Sequence, residues 1–420
     1  MDLSPLAQLA IVWAVVYAAV SSARKTRLTP VVFFLFFGAL LVNLGVLPKE
    51  TDPFIRGLAE LGIIVIMFTI GFEEKTSNFV EGLKRSWGIA FFGAIAPFAL
   101  AYSIANYFWQ DGNLSLMFGL TMTATAVSLT LVSLKGLGLS KSKAATAIMT
   151  SAVIDDIASL ALVAILVPIA AGDVTANASD IILVASKAVA FFIGVLLLGV
   201  WIFPHNPEGI FGKIPLINRI GIKHLLVFSR GEHMILTMLL MALVLGLVAH
   251  ALGFHPAIGA YMAGLVLKEE YFLFSDHGKT NYYESTKATL ENAAFSWIGP
   301  IFFVELGTKI VFDTDLFMAV LPQTFILTVG MLIVQTGSAG LAARFTAGFN
   351  WAQSLLIGFG MLGRAELAFV VMDIAYVQNK ILNDEAFYTL MITAFCLNVS
   401  VPIAISLWKA TFGGKELPQQ

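Results

Sequence analysis

Charge is scarce in this chain. Only 12% of its 420 residues are Asp, Glu, Lys or Arg, while 58% are hydrophobic and mean hydropathy is +0.86. Soluble domains carry roughly 25% charged residues, so the scarcity excludes that class and leaves a polytopic membrane protein. Cysteine is almost missing: Cys396 is the one present, which excludes a disulfide framework. Catalytic signatures are missing too, with no Walker, G-x-S-x-G or H-E-x-x-H pattern. The six histidines fall at segment ends or in loops without metal-ligand spacing. The start, MDLSPLAQ, lacks the basic leader of a secretory signal, so the first apolar run is expected to be retained. A net charge of −2 carries no signal for nucleic acid. There is no low-complexity tract.

Long apolar runs are what the chain does have. At about 20 residues per crossing, thirteen segments are predicted near 6–22, 29–47, 56–72, 86–109, 114–134, 144–171, 179–204, 232–250, 254–268, 286–310, 317–345, 352–377 and 384–409. The ninth, GFHPAIGAYMAGLVLK, is short and Gly-rich, which fits a tilted or partly re-entrant segment. Basic residues then orient the chain. The connections after odd-numbered segments hold 19 of the 25 Lys and Arg, and those after even-numbered segments hold only Lys49, Arg56, Lys309 and Lys380. The odd connections are therefore cytoplasmic, with the N-terminus outside and the C-terminus inside. The longest connection, His205 to His233, is basic and reads as a cytoplasmic linker between two halves. Such a topology suits a bacterial inner membrane, and an organellar or thylakoid membrane equally.

Features recur seven segments apart. The third segment ends IVIMFTIGFEEK and the tenth PIFFVELGTKI; the fifth carries TATAVSLTLVS and the twelfth GMLGRAELAFV. The sixth holds two aspartates, and the thirteenth holds Thr393, Asn398 and Ser400. An odd offset makes each partner cross in the opposite sense. That is the pattern of inverted-topology transporters, whose paired broken helices meet near the midplane. Chance similarity among apolar helices is the competing explanation.

Asp155 and Asp156 lie in AATAIMTSAVIDDIASLALVAIL, which has no other charge. A carboxylate at bilayer depth costs at least a few kcal/mol and persists with a proton, a cation or a partner. Ser151, Asp155 and Ser159 are four apart and share one helix face, whereas Asp156 points about 100° away. One carboxylate can thus line a cavity while the other turns to a neighbouring helix. Because burial disfavours the charged form, such an Asp can exchange a proton for a small cation. The plainer reading is a packing pair bound to hydroxyls.

Other residues could join that site. The fifth segment supplies Thr121, Thr123, Thr125, Ser128 and Thr130, hard oxygen donors for a sodium-like ion unless they merely back-bond in a continuous helix. No Gly or Pro interrupts that run, so its break is inferred from the repeat. Arg364 and Glu366 follow Gly358, Gly360 and Gly363 in apolar context and can offset the helix ends exposed by a break; an interfacial ion pair is the alternative. Asp373, about two turns after Glu366, is a further candidate for an intramembrane acid, unless it lies at the outer interface. Glu305 and Lys309 are four apart with Glu first, the favoured order for a helical ion pair, unless one of them reaches the aspartates. Glu60, Glu73, Glu74 and Glu232 flank segments and read as interfacial.

Together these pieces resemble the monovalent cation:proton antiporters of the antiporter-2 branch, over most of residues 28 to 405. The resemblance rests on ELGIIVIMFTIGFEE (60–74), TATAVSLTLVSLKGLGL (123–139), TSAVIDDIASL (150–160), LGFHPAIGAYMAGLVL (252–267), GPIFFVELGTKI (299–310) and GMLGRAELAFVV (360–371), in that order. It implies a homodimer with a dimerisation domain and a six-helix core that moves like an elevator. On that pattern, residues 1–55 hold the first helices, mainly of the dimerisation domain. Residues 56–171 form the first half of the core, 172–285 a linker and further dimerisation helices, and 286–420 the second half. Asp156 resembles the main ion- and proton-binding carboxylate and Asp155 its partner. Thr125 and the backbone around Ala124–Val127 would line the site from the first broken helix, and Arg364 and Glu366 match the charged pair at the second. The implied activity is exchange of Na+, or Li+ or K+, for protons, with no cofactor beyond the transported ions. Two departures stand out. Gly363-Arg364-Ala365-Glu366 replaces the usual Pro-Arg-Gly-Glu, which predicts a milder second break. Glu305 occupies a place more often small, polar or basic, which leaves open the basic partner of Asp155. An adjacent Asp pair accompanies electrogenic exchange in this family. A sodium-coupled organic-anion symporter of the same fold, an intramembrane aspartyl protease and a non-transporting sensor are the rival functions.

Overall fold

Without water in the bilayer core, each backbone polar group must be paired within the protein, and a helix pairs nearly all of its own. The computed structural model is helical accordingly, with no strand among the described residues. Those residues are 4–26, 28–48, 50–73, 76–136, 139, 142–172, 178–201, 226, 233–267, 269–272, 282–364 and 366–416. Glu74, Glu232 and nearly all of the expected linker between His205 and His233 lie outside them.

The helices are α1 (Pro5–Thr26), α2 (Pro30–Asn43), α3 (Pro53–Glu73), α4 (Thr76–Trp109), α5 (Gly112–Thr121), α6 (Val127–Gly136), α7 (Lys143–Ala170) and α8 (Ala178–Trp201). There follow α9 (Met234–Ala251), α10 (Pro256–Val266), α11 (Tyr282–Asn292), α12 (Gly299–Gly307), α13 (Thr314–Thr346), α14 (Trp351–Gly360), α15 (Glu366–Asp373) and α16 (Asp384–Glu416). Among the described residues, seven spans are long and apolar enough to cross a bilayer: α1, α3, Ser86–Trp109 of α4, α7, α9, α13 and Asp384–Phe412 of α16. The expected ninth segment is the short α10, eleven residues long. Starts are marked by side chains that take the first free amides: Asp111 for α5, Ser142 for α7, Asp313 for α13 and Asn350 for α14.

The chain forms two compact units. One comprises 1–16, 50–76 and 177–305. Its axis is the crossing of α3 with α10, where backbones touch. A Cβ added at Gly71 would lie 2.1 Å from the Tyr261 carbonyl oxygen, and one at Gly264 would lie 2.2 Å from that of Phe68. Phe68, Phe72, Phe272 and Tyr283 pack against this crossing. Thr51 Oγ1 donates to Glu305 Oε1 at 2.9 Å.

The other unit comprises 17–49, 77–176 and 306–420. Here α5 and α6 form one interrupted crossing and α14 and α15 another, each beside a long helix. A Cβ at Gly358 would sit 2.4 Å from the Thr336 carbonyl oxygen, so α14 lies directly on α13. The connection into α13 is clasped by two side chains. Asn43 donates to the Ile310 carbonyl at 2.8 Å and accepts from Phe312 N at 2.6 Å, while the Tyr388 hydroxyl bonds both backbone groups of Val311.

Candidate functional site

The first interruption runs from Met122 to Ala126, between the end of α5 and the start of α6. No Gly or Pro breaks the chain there; partners from neighbouring elements hold it open. Thr125 donates twice to one oxygen of Asp155, from its backbone N at 3.2 Å and its hydroxyl at 2.8 Å. Ala126 N donates to the Gly363 carbonyl at 2.9 Å. Amides freed from a helix are thereby paired at depth, which is what permits irregular backbone inside a membrane protein.

The second interruption, which includes 361–364, lies against the first. Gly363 faces Ala126: a Cβ there would be 3.2 Å from the Ala126 Cβ. Thr130 Oγ1 also reaches across to the Gly360 carbonyl at 2.7 Å. Arg364 is fully buried in this interruption. Its Nη1 donates to the carbonyls of Met361, Leu362 and Gly363 at 3.2, 3.4 and 2.9 Å. Its Nη2 donates to the Met122 carbonyl at 2.9 Å and to Gln335 Oε1 at 2.7 Å. Asn398 of α16 brackets the same residue, accepting from Arg364 N at 2.8 Å and donating to its carbonyl at 2.7 Å.

Charge and helix ends match. A helix N-terminus carries partial positive charge and a C-terminus partial negative charge. Asp155 meets the break leading into the N-terminus of α6; Arg364 meets the carbonyls that end α5 and α14; Glu366 occupies the first turn of α15. Each half-helix end at the crossing therefore faces a charge of the opposite sign. The two breaks are also handled alike. In each, an acceptor on the following long helix takes an amide hydrogen from the unwound stretch: Asp155 of α7 from Thr125, and Asn398 of α16 from Arg364.

The expected site residues divide into three groups. Asp155, Thr125 and Ala124 meet at the first break and are buried, with Arg364 at the second. Ser151 and Ser159 are buried on the same face of α7 as Asp155; Ser151 back-bonds to the Ala147 carbonyl at 2.7 Å. Asp156 and Glu366 are half-buried. Glu305 and Lys309 do not share one helix, because α12 ends at Gly307; Glu305 accepts from Thr51. Asp373 is buried at the end of α15, where its Oδ2 accepts from Gln378 at 2.6 Å. Glu60 lies at the surface beside Arg56, 3.5 Å away. Among the described residues no three His, Cys, Asp or Glu converge on a metal position. Cation ligands would have to be one carboxylate, hydroxyls and backbone carbonyls, a donor set for a hard ion.

Gln335 is the residue that sequence reasoning passed over. It is fully buried on α13, accepts from Arg364 and donates to the Gly93 carbonyl at 2.9 Å. An amide in an apolar helix is the available signal, since a buried amide needs partners, but Gln323 on the same helix carries the same signal.

The profile of the family described as "Sodium/hydrogen exchanger, transmembrane" matches residues 11–408. The Na(+)/H(+)-K(+) antiporter GerN of Bacillus cereus is 26% identical over 386 residues, 90% of each chain. The Na(+)/H(+) antiporter of Enterococcus hirae is 23% identical, over 86% of this chain and 87% of its own. The solved structure of the sodium proton antiporter MjNhaP1 from Methanocaldococcus jannaschii superposes with a TM-score of 0.70 across 99% of both chains, at 15% identity, and so shares the fold.

Proposed function

Because the chain belongs to the sodium/hydrogen exchanger family, we propose that it exchanges Na+ for protons at the crossing of its two interrupted helices. It is a multi-pass integral membrane protein and a secondary transporter rather than an enzyme. The observation that carries the site assignment is Asp155. Its carboxylate is fully buried, held at one oxygen by Thr125, with its second oxygen making no hydrogen bond. A buried carboxylate so poised takes either a proton or a dehydrated cation, not both, and that competition couples the two fluxes. Asp156, one residue on and half-buried, is the second carboxylate of the pair.

Alternating exposure follows from an elevator-type movement of a core built on inverted repeats. Thirteen crossings, with the N-terminus outside and the C-terminus in the cytoplasm, accord with the 19 basic residues of the odd connections. The like treatment of the two breaks by Asp155 and Asn398 supports the repeat. The working unit is a homodimer, and the transported ions are the only cofactors required. Potassium is the second candidate cation, favoured by the similarity to the Na(+)/H(+)-K(+) antiporter GerN. Symport of an organic anion is disfavoured because Arg364, the one buried cation among the described residues, is occupied by five acceptors.

The test is proton efflux from liposomes with an acid interior and a pH-sensitive dye, adding Na+, Li+ and K+ in turn. Wild type is expected to release protons on cation addition, and Asp155→Asn and Asp156→Asn to abolish the release. Exchange that survives in both variants overturns the site; no proton movement with any cation overturns antiport.

A further inference from the structure

The amide of Gln335 can be oriented in one way only. Its partners are Arg364 Nη2, 2.7 Å from Oε1, and the Gly93 carbonyl of α4, 2.9 Å from Nε2. A guanidinium offers donors alone and a carbonyl an acceptor alone. The side-chain oxygen must therefore face Arg364, and the side-chain nitrogen must face Gly93. Of the five acceptors around Arg364, four are backbone carbonyls. Gln335 is the one side chain among them, so it alone can be removed by substitution.

The Gly93 carbonyl is open to a side chain for a reason written in the sequence. Helix α4 continues through Pro97, and proline has no amide hydrogen for the carbonyl four residues before it. That carbonyl belongs to Gly93. In an ordinary helix the backbone would take it; here Gln335 donates to it from α13. The proline of α4 thereby fixes the amide of α13, and the amide presents its oxygen to the guanidinium. Arg364 in turn donates to the Met122 carbonyl at 2.9 Å, through the same nitrogen that Gln335 holds. Met122 opens the first interruption, three residues before the Thr125 that grips Asp155.

We propose that Gln335 is a positioning residue for cation exchange, holding Arg364 against the Met122 carbonyl, and that Pro97 fixes Gln335 by freeing the Gly93 carbonyl. The proposal rests on the antiport reading and deepens it: two residues outside the ion-binding set govern how well Asp155 takes a cation. The stretch that carries Thr125 is anchored at both ends. Arg364 holds its start at Met122, and the Gly363 carbonyl holds its end at Ala126 N. With Arg364 loosened, only the second anchor remains, and Thr125 no longer presents Asp155 in one orientation.

The experiment is a double-mutant cycle of Gln335→Leu and Pro97→Ala. Each protein is measured for melting temperature and for the half-saturating Na+ of proton efflux. Gln335→Leu is expected to melt earlier and to raise half-saturating Na+ about ten-fold, the scale of one lost hydrogen bond to a charged group. A merely structural loss would lower maximal efflux and leave half-saturating Na+ unmoved. Adding Pro97→Ala gives the Gly93 carbonyl an amide hydrogen from its own helix. The double variant is therefore expected to regain part of the melting temperature while half-saturating Na+ stays high, because Arg364 still lacks its acceptor. Pro97→Ala alone lets the helix compete with Gln335 and is expected to raise half-saturating Na+ by less than Gln335→Leu does. Unchanged half-saturating Na+ in Gln335→Leu, or its return to the wild-type value in the double variant, overturns the positioning role. A melting temperature that Pro97→Ala does not regain overturns the link through Gly93. If Gln335→Leu alone does not fold, the double variant carries the affinity test. If neither folds, Pro97→Ala carries it, and a wild-type value there overturns the proposal. A wild type without cation-driven efflux removes the antiport reading beneath it, while the melting temperatures still decide the link from Pro97 to Gln335.

Discussion

Arg364 shows how a full charge is accommodated in an apolar protein. Its two terminal nitrogens reach four backbone carbonyls and Gln335, so most of the guanidinium donors are spent on helix ends. Lysine could not replace it, because a point ammonium lacks the planar fork that serves several acceptors at once. The arrangement depends on two uncharged neighbours. Asn398→Ala strips both backbone groups of Arg364 of their partner, and each buried group left unpaired costs about 1–3 kcal/mol. Gln335→Leu leaves a guanidinium N–H and the Gly93 carbonyl unpaired in the same way. Thermal melts of the detergent-solubilised protein are expected to show both variants markedly less stable. Thr150→Ala removes only an exposed local back-bond and is expected to melt like wild type. Equal melting of all three would mean that water already serves these groups.

At the scale of elements, the glycines differ in what an added methyl would meet. The α3–α10 crossing brings backbone against backbone, so a methyl at Gly71 would meet the rigid Tyr261 carbonyl at 2.1 Å. At Gly360 the nearest atom, at 2.5 Å, is Ile148 Cδ1, the far end of a side chain that can turn aside. Overpacking costs about 1–3 kcal/mol where neighbours can shift, and more where they cannot. Gly71→Ala is therefore expected to lower the melting temperature and the yield of folded protein sharply, and Gly360→Ala only mildly. The reverse order in a melting comparison would contradict this account of the packing. The interruptions themselves belong to the same scale. Residues 122–126 contain no helix breaker, and the unwinding there is held by Asp155 and Gly363 from other elements.

For the whole molecule, orientation is the property most open to measurement. Cys396 is the only cysteine, so a Cys396→Ser background accepts single reporters. Arg24 and Asp315 are both exposed, at opposite ends of the predicted topology. In intact cells an impermeant thiol reagent is expected to label Asp315→Cys and to spare Arg24→Cys until the membrane is opened. Labelling of Arg24→Cys in intact cells would invert the proposed orientation. The two compact units draw on segments distant in sequence, so folding of each waits for late parts of the chain.

Much of this was legible in the residues themselves. Mean hydropathy and the near absence of charge dictate a membrane class, because a bilayer penalises each ionised side chain it must hold. Asp155, Arg364 and the Gly cluster before it stood out for the same reason: at membrane depth a charge needs a purpose. Helical spacing put Ser151, Asp155 and Ser159 on one face. What local pattern could not decide was which groups from different helices would meet. The pairing of Thr125 with Asp155, the capture of the Met122 carbonyl by Arg364 and the part played by Gln335 all join residues far apart in the chain. Those contacts arise from packing between helices, and hydrophobic periodicity says which face is buried without saying what it is buried against.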